Sequence, residues 1–550
     1  MRFTKFFAFL AVLSVLTVAC RPVAEAVPQD SSGSQHALRQ FSDYLHQKYV
    51  QGKDAVFSMP LQTFFMRASS QGEWFKAVLK ELKKIFPFDP NLTGQASLFF
   101  SALVEGTWFE PQNNGTCKCC DSNNPLDAYN VHISMTGNPG EMVVTYNTQE
   151  RPSRSCIYVS PSSSISSSSS SQEHCTTDVR TTSQGSGLSP FLCTGWSGYA
   201  SHVKVSGLTP GDHYTYTIPG SSRNVSYSFM APYGNTTKTT KLAFFTDIGT
   251  KGGEPVLDTL KSRMDEFDYM ILPGDQSYCD GYNGCTDKFM ELLQPLAAQK
   301  PYMVTSGNHE GPWNFSYIRT NLYWPVNESG AAPDALWYSI DEGPVHFVMM
   351  NYENYFDYPD GEWSMTSAAP ISTYPGQVEW LRQDLEAFAR RREQDPDLWL
   401  IMMAHRPLTC NVSGESCDHI GPMLEEEVFP LMYEYKADMY WCGHVHAYER
   451  VSPINNETRE LCSDCVRDGG KLYYKPPYPV QIMNGIAGRA VADNNYFTPG
   501  VTYPDFVAQH YSSINYPYGG YALVQVDHNV LNYTAYNTSG KVIDHFQIHK

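Results

Sequence analysis

The sequence predicts an α/β domain preceded by an all-β sandwich, and three observations carry that reading. Between Tyr129 and Met230, short β segments are separated by Gly, Pro and Asn turns. Beyond a polar linker at 235–240, apolar strands alternate with stretches of helical spacing such as Pro255–Arg263 and Gln377–Arg391, the pattern of strand–helix units. The aromatic share of 13%, with 36 Tyr in 550 residues, favours extensive β structure. A chain of this length exceeds one hydrophobic core, so several domains are expected. The net charge of −18 argues against a nucleic-acid backbone as partner.

Residues 1–26 read as a secretory signal: basic Arg2 and Lys5 precede an apolar run from Phe6 to Ala19, too short to span a bilayer. Cleavage follows Ala24-Glu-Ala26 or falls near Cys20; a bacterial lipoprotein box at Cys20 is the rival reading, which Thr17 fits poorly. No later segment reads as a membrane span. Secretion has independent support in ten Asn-x-Ser/Thr sites, at Asn91, Asn114, Asn224, Asn235, Asn314, Asn327, Asn411, Asn456, Asn532 and Asn537, which predict N-linked glycans. The 14 cysteines fit an oxidising compartment. Local bridges are expected at Cys279/Cys285, Cys410/Cys417 and Cys462/Cys465, while Cys117, Cys119, Cys120, Cys156, Cys175 and Cys193 can pair among themselves. A zinc knuckle at Cys117-x-Cys119-Cys120 is the alternative there. Cys442, ending an apolar strand, reads as a buried free thiol.

Residues 27–126 form an extension of unknown role, with helical spacing at Leu38–Tyr44 and Trp74–Ile85. It would cap the enzyme or act as a propeptide or partner-binding region. Residues 127–237 form the sandwich, with strands at Val131–Met135, Glu141–Tyr146, Ser201–Val205 and Ser226–Met230. Leu208-Thr-Pro-Gly-x-x-Tyr214-x-Tyr216 resembles a fibronectin type III strand pair, and the size suits an immunoglobulin-like domain. Ser162–Ser171 is a low-complexity run that reads as a loop. Residues 238–550 form the α/β domain, closed by antiparallel strands at Tyr521–Val526, Val530–Tyr536 and Val542–Ile548.

Five apolar strands of this domain end in groups able to bind metal. Leu242–Thr246 delivers Asp247; Met270–Leu272 delivers Asp275 and Tyr278; Tyr302–Thr305 delivers Asn308, His309 and Glu310; Leu398–Met403 delivers His405; Met439–Trp441 delivers His444 and His446. Taken singly, a strand-end Asp caps a helix and a lone His is structural. Taken together, and with glycines at 249, 274, 307 and 443 to turn the backbone sharply, they predict ligands gathered on one edge of one sheet. Two Asp, one Asn, one Tyr and three His exceed the needs of one tetrahedral ion. A bridging carboxylate between two ions suits phosphate-ester hydrolysis. Oxygen and nitrogen donors without cysteine favour iron, manganese or zinc.

Asp247-Ile-Gly249, Gly274-Asp-Gln-Ser-Tyr278, Gly307-Asn-His-Glu310, Ala404-His405 and Gly443-His-Val-His-Ala-Tyr-Glu-Arg450 resemble, in order and approximate spacing, the five blocks of the purple acid phosphatases. The resemblance covers residues 127–550, and Tyr518-Gly-Gly-Tyr521 through Gly540-Lys-Val-Ile-Asp544 is similar to the animal and fungal long forms. It implies a four-layer metallophosphoesterase β-sandwich flanked by helices. It also implies a secreted acid phosphatase that hydrolyses phosphate monoesters with a dinuclear Fe(III)–M(II) centre and a metal-bound hydroxide nucleophile. In that reading Asp247, Tyr278 and His446 hold the ferric ion, Asp275 bridges, and Asn308, His405 and His444 hold a divalent Fe, Zn or Mn. His309 contacts the phosphate. Some relatives place a leaving-group proton donor shortly after the His405 equivalent; here His419 is the nearest candidate, and an ordinary loop histidine is the alternative.

The implied substrates are phosphorylated small molecules or phosphoproteins, and the implied location is extracellular or a vacuolar, lysosomal or secretory lumen. Two readings compete: a phosphodiesterase or nucleotide pyrophosphatase on the same site, and a non-catalytic glycosylated binding protein whose phosphatase domain is vestigial. A missing ligand would support the second, and none is missing. Specificity would reside in loops around Tyr323–Pro333, Tyr352–Pro370 and Asp493–Tyr518.

Overall fold

The computed structural model describes residues 124, 126–162, 171–181, 198–220, 226–236, 239–250, 252–279, 283–311, 315–351, 353, 376–411, 428–455, 458–489, 507–512 and 519–550. These fall in one compact unit, Phe109–Lys550. The expectations for the signal, for the extension up to residue 123, for most of the serine run, for Cys117, Cys119, Cys120, Cys193 and Cys417, and for His419 lie outside the described residues.

The first part is a sandwich of β1 (Tyr129–Met135), β2 (Met142–Thr148), β3 (Ser155–Pro161), β4 (Gln172–Thr176), β5 (Val179–Arg180), β6 (Tyr199–Val205), β7 (His213–Thr217) and β8 (Ser226–Met230). Two antiparallel sheets, β1-β2-β6-β5 and β4-β3-β7-β8, face each other. Strand β3 shows why: Ile157 and Val159 turn inward while Tyr158 between them is exposed, the period of two that gives a sheet one apolar face. Ile133, Val144, Val203, Tyr216 and Phe229 complete that core. Strand β1 is buried along its whole length because a helix of the second part covers it. Asn130 donates to Asp287 Oδ1 at 2.8 Å, Val131 N donates to Gln294 Oε1 at 2.8 Å, and Tyr216 donates to the Ala298 carbonyl at 2.7 Å.

The linker is shorter than its composition suggests. After a 3-10 turn at Gly234–Thr236, strand β9 (Thr239–Phe244) begins with the two threonines expected in the linker. Their backbone pairs with a C-terminal strand, and Thr240 Oγ1 donates to the Tyr269 hydroxyl at 2.9 Å, so polar residues are tolerated there.

The strands that follow are β10 (Tyr269–Pro273), β11 (Tyr302–Thr305), β12 (Tyr338–Glu342), β13 (Val345–Met349), β14 (Trp399–Met403), β15 (Met439–Cys442), β16 (Ala447–Val451), β17 (Val466–Arg467), β18 (Leu472–Tyr474), β19 (Val480–Asn484), β20 (Val507–Ser512), β21 (Gly520–Asp527), β22 (Val530–Asn537) and β23 (Val542–His549). They form an eight-stranded sheet, β11-β10-β9-β21-β22-β23-β18-β17, and a seven-stranded sheet, β12-β13-β14-β15-β19-β16-β20. One apolar cluster fills the space between them, with Phe244 stacked on Trp441 at 4.7 Å and Tyr269 edge-on to Phe347 at 6.2 Å. Helices α1 (Glu254–Ser262), α2 (Asn283–Ala297), α3 (Ser316–Asn321), α4 (Gln377–Gln394) and α5 (Phe429–Glu434) connect the strands. Helix α1 opens with a proline in its first turn, where no intrahelical N–H is needed, and buries Val256, Leu257 and Leu260. Helix α4 buries Trp380, Leu381, Leu385 and Phe388, an apolar stripe of helical period.

The two-sheet arrangement agrees with the layered sandwich that the resemblance implies and corrects only the strand-end reading, which gathered the ligands on one sheet. Strand β9 is flanked by β10 in parallel and by β21 in antiparallel register, so the returning C-terminal strands occupy the place where β14 would otherwise join. Strands β14 and β15, which carry His405, His444 and His446 at their ends, belong to the second sheet. Among the cysteines, Cys156–Cys175 and Cys462–Cys465 are bridged, Cys279 and Cys410 are also disulfide-bonded, and Cys442 is free and buried as expected.

Helix α4 is held to the second sheet by a buried charge cluster. His346 on β13 lies 2.7 Å from Asp341 Oδ1 and 2.9 Å from Asp384 Oδ2, with its ring stacked on Phe388 at 5.0 Å. Burial pushes the imidazole down, but the Asp384 and Asp341 carboxylates more than offset it and hold the pKa at about 9, against 6.5 when exposed. The raised pKa means that the stabilisation is fully present below the unfolded value and is lost as pH rises through the folded one, on the order of 3 kcal/mol. The melting temperature should therefore fall between about pH 6 and about pH 10 by clearly more in the wild type than in His346→Gln. Parallel curves for the two proteins would refute this role.

Candidate metal centre

The carboxyl ends of β9, β10, β11, β14 and β15 meet at one place, and the backbone there is unusual. Asp247, Asp275, Tyr278 and His444 have φ of 58°, 53°, 55° and 70°. For non-glycine residues this left-handed conformation costs roughly 1–3 kcal/mol each and persists only where the surroundings impose it. The surroundings do so through cross-bonds between ligand loops. Ile248 N, Gly249 N and Thr250 N donate to the carbonyls of Asp275, Gln276 and Ser277 at 3.3, 2.8 and 3.1 Å. Gly443 N donates to the His405 carbonyl at 2.8 Å, and His444 N to Asp247 Oδ2 at 3.0 Å.

Two groups of donor atoms result. In the first, the Tyr278 hydroxyl donates to Asp247 Oδ1 at 2.6 Å and lies 2.7 Å from His446 Nε2, which is 3.6 Å from the same Asp247 oxygen. In the second, His444 Nδ1 lies 3.0 Å from Asn308 Oδ1 and His405 Nε2 lies 3.1 Å from Asp275 Oδ2. Donor atoms of Asp275, His405 and His444 all lie within 4.8 Å of one another. The backbone N–H of His309 donates to Asp275 Oδ1 at 3.0 Å, and the Asp275 charge acts on Tyr278 of the first group. His309 itself stands at the rim, 15% exposed, with its ring 4.2 Å from the Tyr278 ring and Nε2 3.8 Å from Asp275 Oδ2.

The donor chemistry fits metal ions. His405 Nδ1–H donates to the Pro273 carbonyl at 3.0 Å, which turns Nε2 inward to within 3.1 Å of Asp275 Oδ2. Burial pushes His405 down, but Asp275 pulls it up to about 9; burial alone would push the Asp275 carboxyl up, and His405 and His309 hold it below the usual range. These are the electrostatics of a site that takes a cation, either a proton or a metal that displaces it. His444 is pushed well below its ordinary value by burial and then by Arg406, which keeps it neutral. The Tyr278 phenol is pushed well up by burial and then by Asp247 and Asp275, so only a strongly acidic cation would ionise it.

The motif glycines serve two purposes, where the sequence suggested one. Gly249 and Gly274 have φ of 74° and 89° and do turn the chain. At Gly307 and Gly443 φ is ordinary and space is the reason. A Cβ at 307 would lie 2.2 Å from Asp275 Oδ1, and one at 443 would lie 2.3 Å from Asp247 Oδ2.

Three residues beyond the expected ligands shape the site. Glu310 is the buried staple: Oε2 accepts from Asp275 N at 2.8 Å and Gly307 N at 2.9 Å, and Oε1 accepts from Gln276 N at 2.9 Å. Burial and then Asp275 push its carboxyl up to about 7. The sequence places Glu310 beside His309 but does not show that its partners lie on another strand end. Buried Arg406 donates from Nε and Nη2 to Glu353 at 2.9 and 2.8 Å, and from Nη1 to His444 Nε2 at 3.0 Å. A charge directly after the apolar strand that delivers His405 was the available signal for Arg406. Glu353 had none.

This fold, with acid, amide, phenol and imidazole donors at the strand ends, defines a phosphoesterase of the calcineurin-like class, and residues 240–448 match the family described as calcineurin-like phosphoesterase. Residues 128–237 match the purple acid phosphatase N-terminal domain. The chain is 30% identical to acid phosphatase type 7 of Mus musculus over 75% of this chain and 89% of that protein. It is 29% identical to probable purple acid phosphatase 20 of Arabidopsis thaliana over 64% of this chain and 77% of that one. Purple acid phosphatase PPD1 from yellow lupin (Lupinus luteus) seeds has the same fold, with a TM-score of 0.62, 20% identity, and coverage of 78% of this chain and 75% of that one. The chain belongs to the purple acid phosphatase family of phosphoric monoester hydrolases, a family that implies a dinuclear metal centre.

Replacing Glu310 by Gln sets an NH2 group against backbone donors and should loosen the loops of Asp275 and Asn308. Metal affinity should fall roughly 10–100-fold, the usual effect of losing a partner that orients ligands. Metal content after dialysis measures this, and retention at the wild-type level would show that the staple is dispensable.

Proposed function

We propose that the chain is a secreted acid phosphatase that hydrolyses phosphate monoesters at a dinuclear centre of Fe(III) and a divalent Fe, Zn or Mn. The observation that carries this reading is the meeting of two donor groups at the converging strand ends, Asp247, Tyr278 and His446 in one and Asp275, Asn308, His405 and His444 in the other, with Asp275 proposed to bridge. Asp247, Tyr278 and His446 would hold the ferric ion; Asn308, His405 and His444 would hold the divalent ion. Bound there, the ions would supply Lewis-acid charge to the phosphoryl oxygens and acidify the attacking water. The raised phenol of Tyr278 favours a trivalent ion, since a stronger charge is needed to displace its proton. His309, at the rim, would orient the phosphoryl group through Nε2. His419 stays a candidate proton donor from the sequence alone. Phosphorylated small molecules or phosphoproteins are the proposed substrates.

The proposed domain limits are 127–237 for the sandwich and 238–550 for the catalytic part, preceded by a signal at 1–26 and an extension at 27–126. The Cys156–Cys175 and Cys462–Cys465 bridges support secretion. Among the described residues no helix is long and apolar enough to cross a membrane. Exposure sorts the glycan sites. Asn235 and Asn327 are exposed, whereas Asn537 is 5% exposed and its Oδ1 accepts from Ser539 N, Ser539 Oγ and Lys541 N at 3.1, 2.7 and 2.9 Å. The hairpin turn uses Asn537, and it should carry no glycan. Peptide mass spectrometry after endoglycosidase treatment should find glycans on Asn235 and Asn327 and none on Asn537.

His444→Ala should abolish phosphatase activity while the protein stays folded, because the apolar core does not depend on that ring. Tyr278→Phe should bleach a violet to pink visible band while much of the metal remains on Asp247, Asp275 and His446. Full turnover by a folded His444→Ala protein would sink the assignment of the site. A colourless wild type without iron, even after oxidation, would sink the ferric assignment.

A further inference from the structure

Arg489 is absorbed by none of the roles above, yet it is bound to the centre twice. The segment after β19 runs Gly485-Ile-Ala-Gly-Arg489 and returns to the end of β9. Ala487 N donates to the Thr246 carbonyl at 3.3 Å, and Arg489 N donates to the carbonyl of Asp247 at 2.9 Å. The guanidinium carbon then stands 5.0 Å from the centroid of the Tyr278 ring. A cation within about 6 Å of an aromatic face is attracted to its π electrons. The attraction grows when the ring carries the charge of a phenolate. Tyr278 is the one proposed ligand whose donor electrons are delocalised over such a ring, so a charge above the ring acts on the ligand without touching the ion.

We propose that Arg489 is a positioning residue for Tyr278: its guanidinium packs on the ring, fixes the phenol oxygen toward Asp247 and His446, and withdraws charge from the phenolate. The inference rests on the ferric-phenolate reading. Its consequences are two. The phenolate donates less charge to the ion, which preserves the ion's Lewis acidity. The phenolate-to-iron absorption also lies at higher energy than the three ligands alone would set. The contact is built to last, because the backbone of Arg489 is tied to the first ligand's own carbonyl. A planar, delocalised guanidinium suits ring stacking better than an ammonium.

The test uses the full-length, metal-loaded protein with Arg489→Gln, Arg489→Lys and Tyr278→Phe beside the wild type. Arg489→Gln should keep its iron and shift the visible band to longer wavelength, well beyond replicate scatter. Arg489→Lys should fall between the two, since it keeps the charge and loses the planar contact. Tyr278→Phe, with no band, marks the absorption as the phenolate's. A band at the wild-type position in iron-loaded Arg489→Gln overturns the inference, and an unmoved band with a raised KM would place Arg489 on the substrate instead. If Arg489→Gln fails to fold, Arg489→Lys carries the measurement, and an unshifted band there overturns the inference equally. A wild type with neither iron nor band is a separate failure, that of the ferric reading, and the inference falls with it.

Discussion

The centre depends on one electrostatic constraint: two carboxylates, Asp247 and Asp275, are fully buried where five strand ends converge. Burying a charge without compensation is costly enough that a group neutralises itself or acquires a partner. Here Asp247 meets the Tyr278 phenol and the backbone N–H of His444, and Asp275 meets His405 and the backbone N–H of His309; cations at the proposed centre would satisfy both carboxylates together. His405, which holds Asp275 in its charged form, is also a group that a metal would recruit, and His309 adds to that charge from the rim.

Much of the architecture can be read as the means of imposing that convergence. Two stacked sheets are needed because β9, β10 and β11 supply one side and β14 and β15 the other. Four of the proposed ligand residues occupy left-handed backbone conformations, which would relax if the loops were free. Cross-bonds between loops, the Glu310 staple and the close approach permitted at Gly307 and Gly443 hold them in place. Strain concentrates at the site and is offset by the apolar core beneath it, as is common where side chains must be held before a ligand arrives.

A ring of further charges surrounds the ligands. Arg406, neutralised by Glu353, meets His444; Glu310 meets the backbone of the bridging loop; Arg489 meets the Tyr278 ring. Each contacts a proposed ligand or its loop, a place from which affinity or electronic character can change without changing the donor set.

By itself the sequence determined the order of elements, the sandwich before the α/β part, and every proposed ligand. Strand-end chemistry is local: an apolar run fixes the strand, and the residue after it is at the strand's end whatever the topology. Helices α1 and α4 and the C-terminal hairpins were legible for the same reason, since their periodicity is carried within each segment. What only the tertiary structure decided depends on distant pairing. That β21 rather than β14 neighbours β9, that Glu310 accepts from Asp275, and that Arg489 covers Tyr278 are contacts between segments far apart in the chain. No local period encodes them. Even the glycines divide along this line, since Gly274 is required by its own φ, while Gly443 is required by a carboxylate that arrives from the first strand of the other sheet.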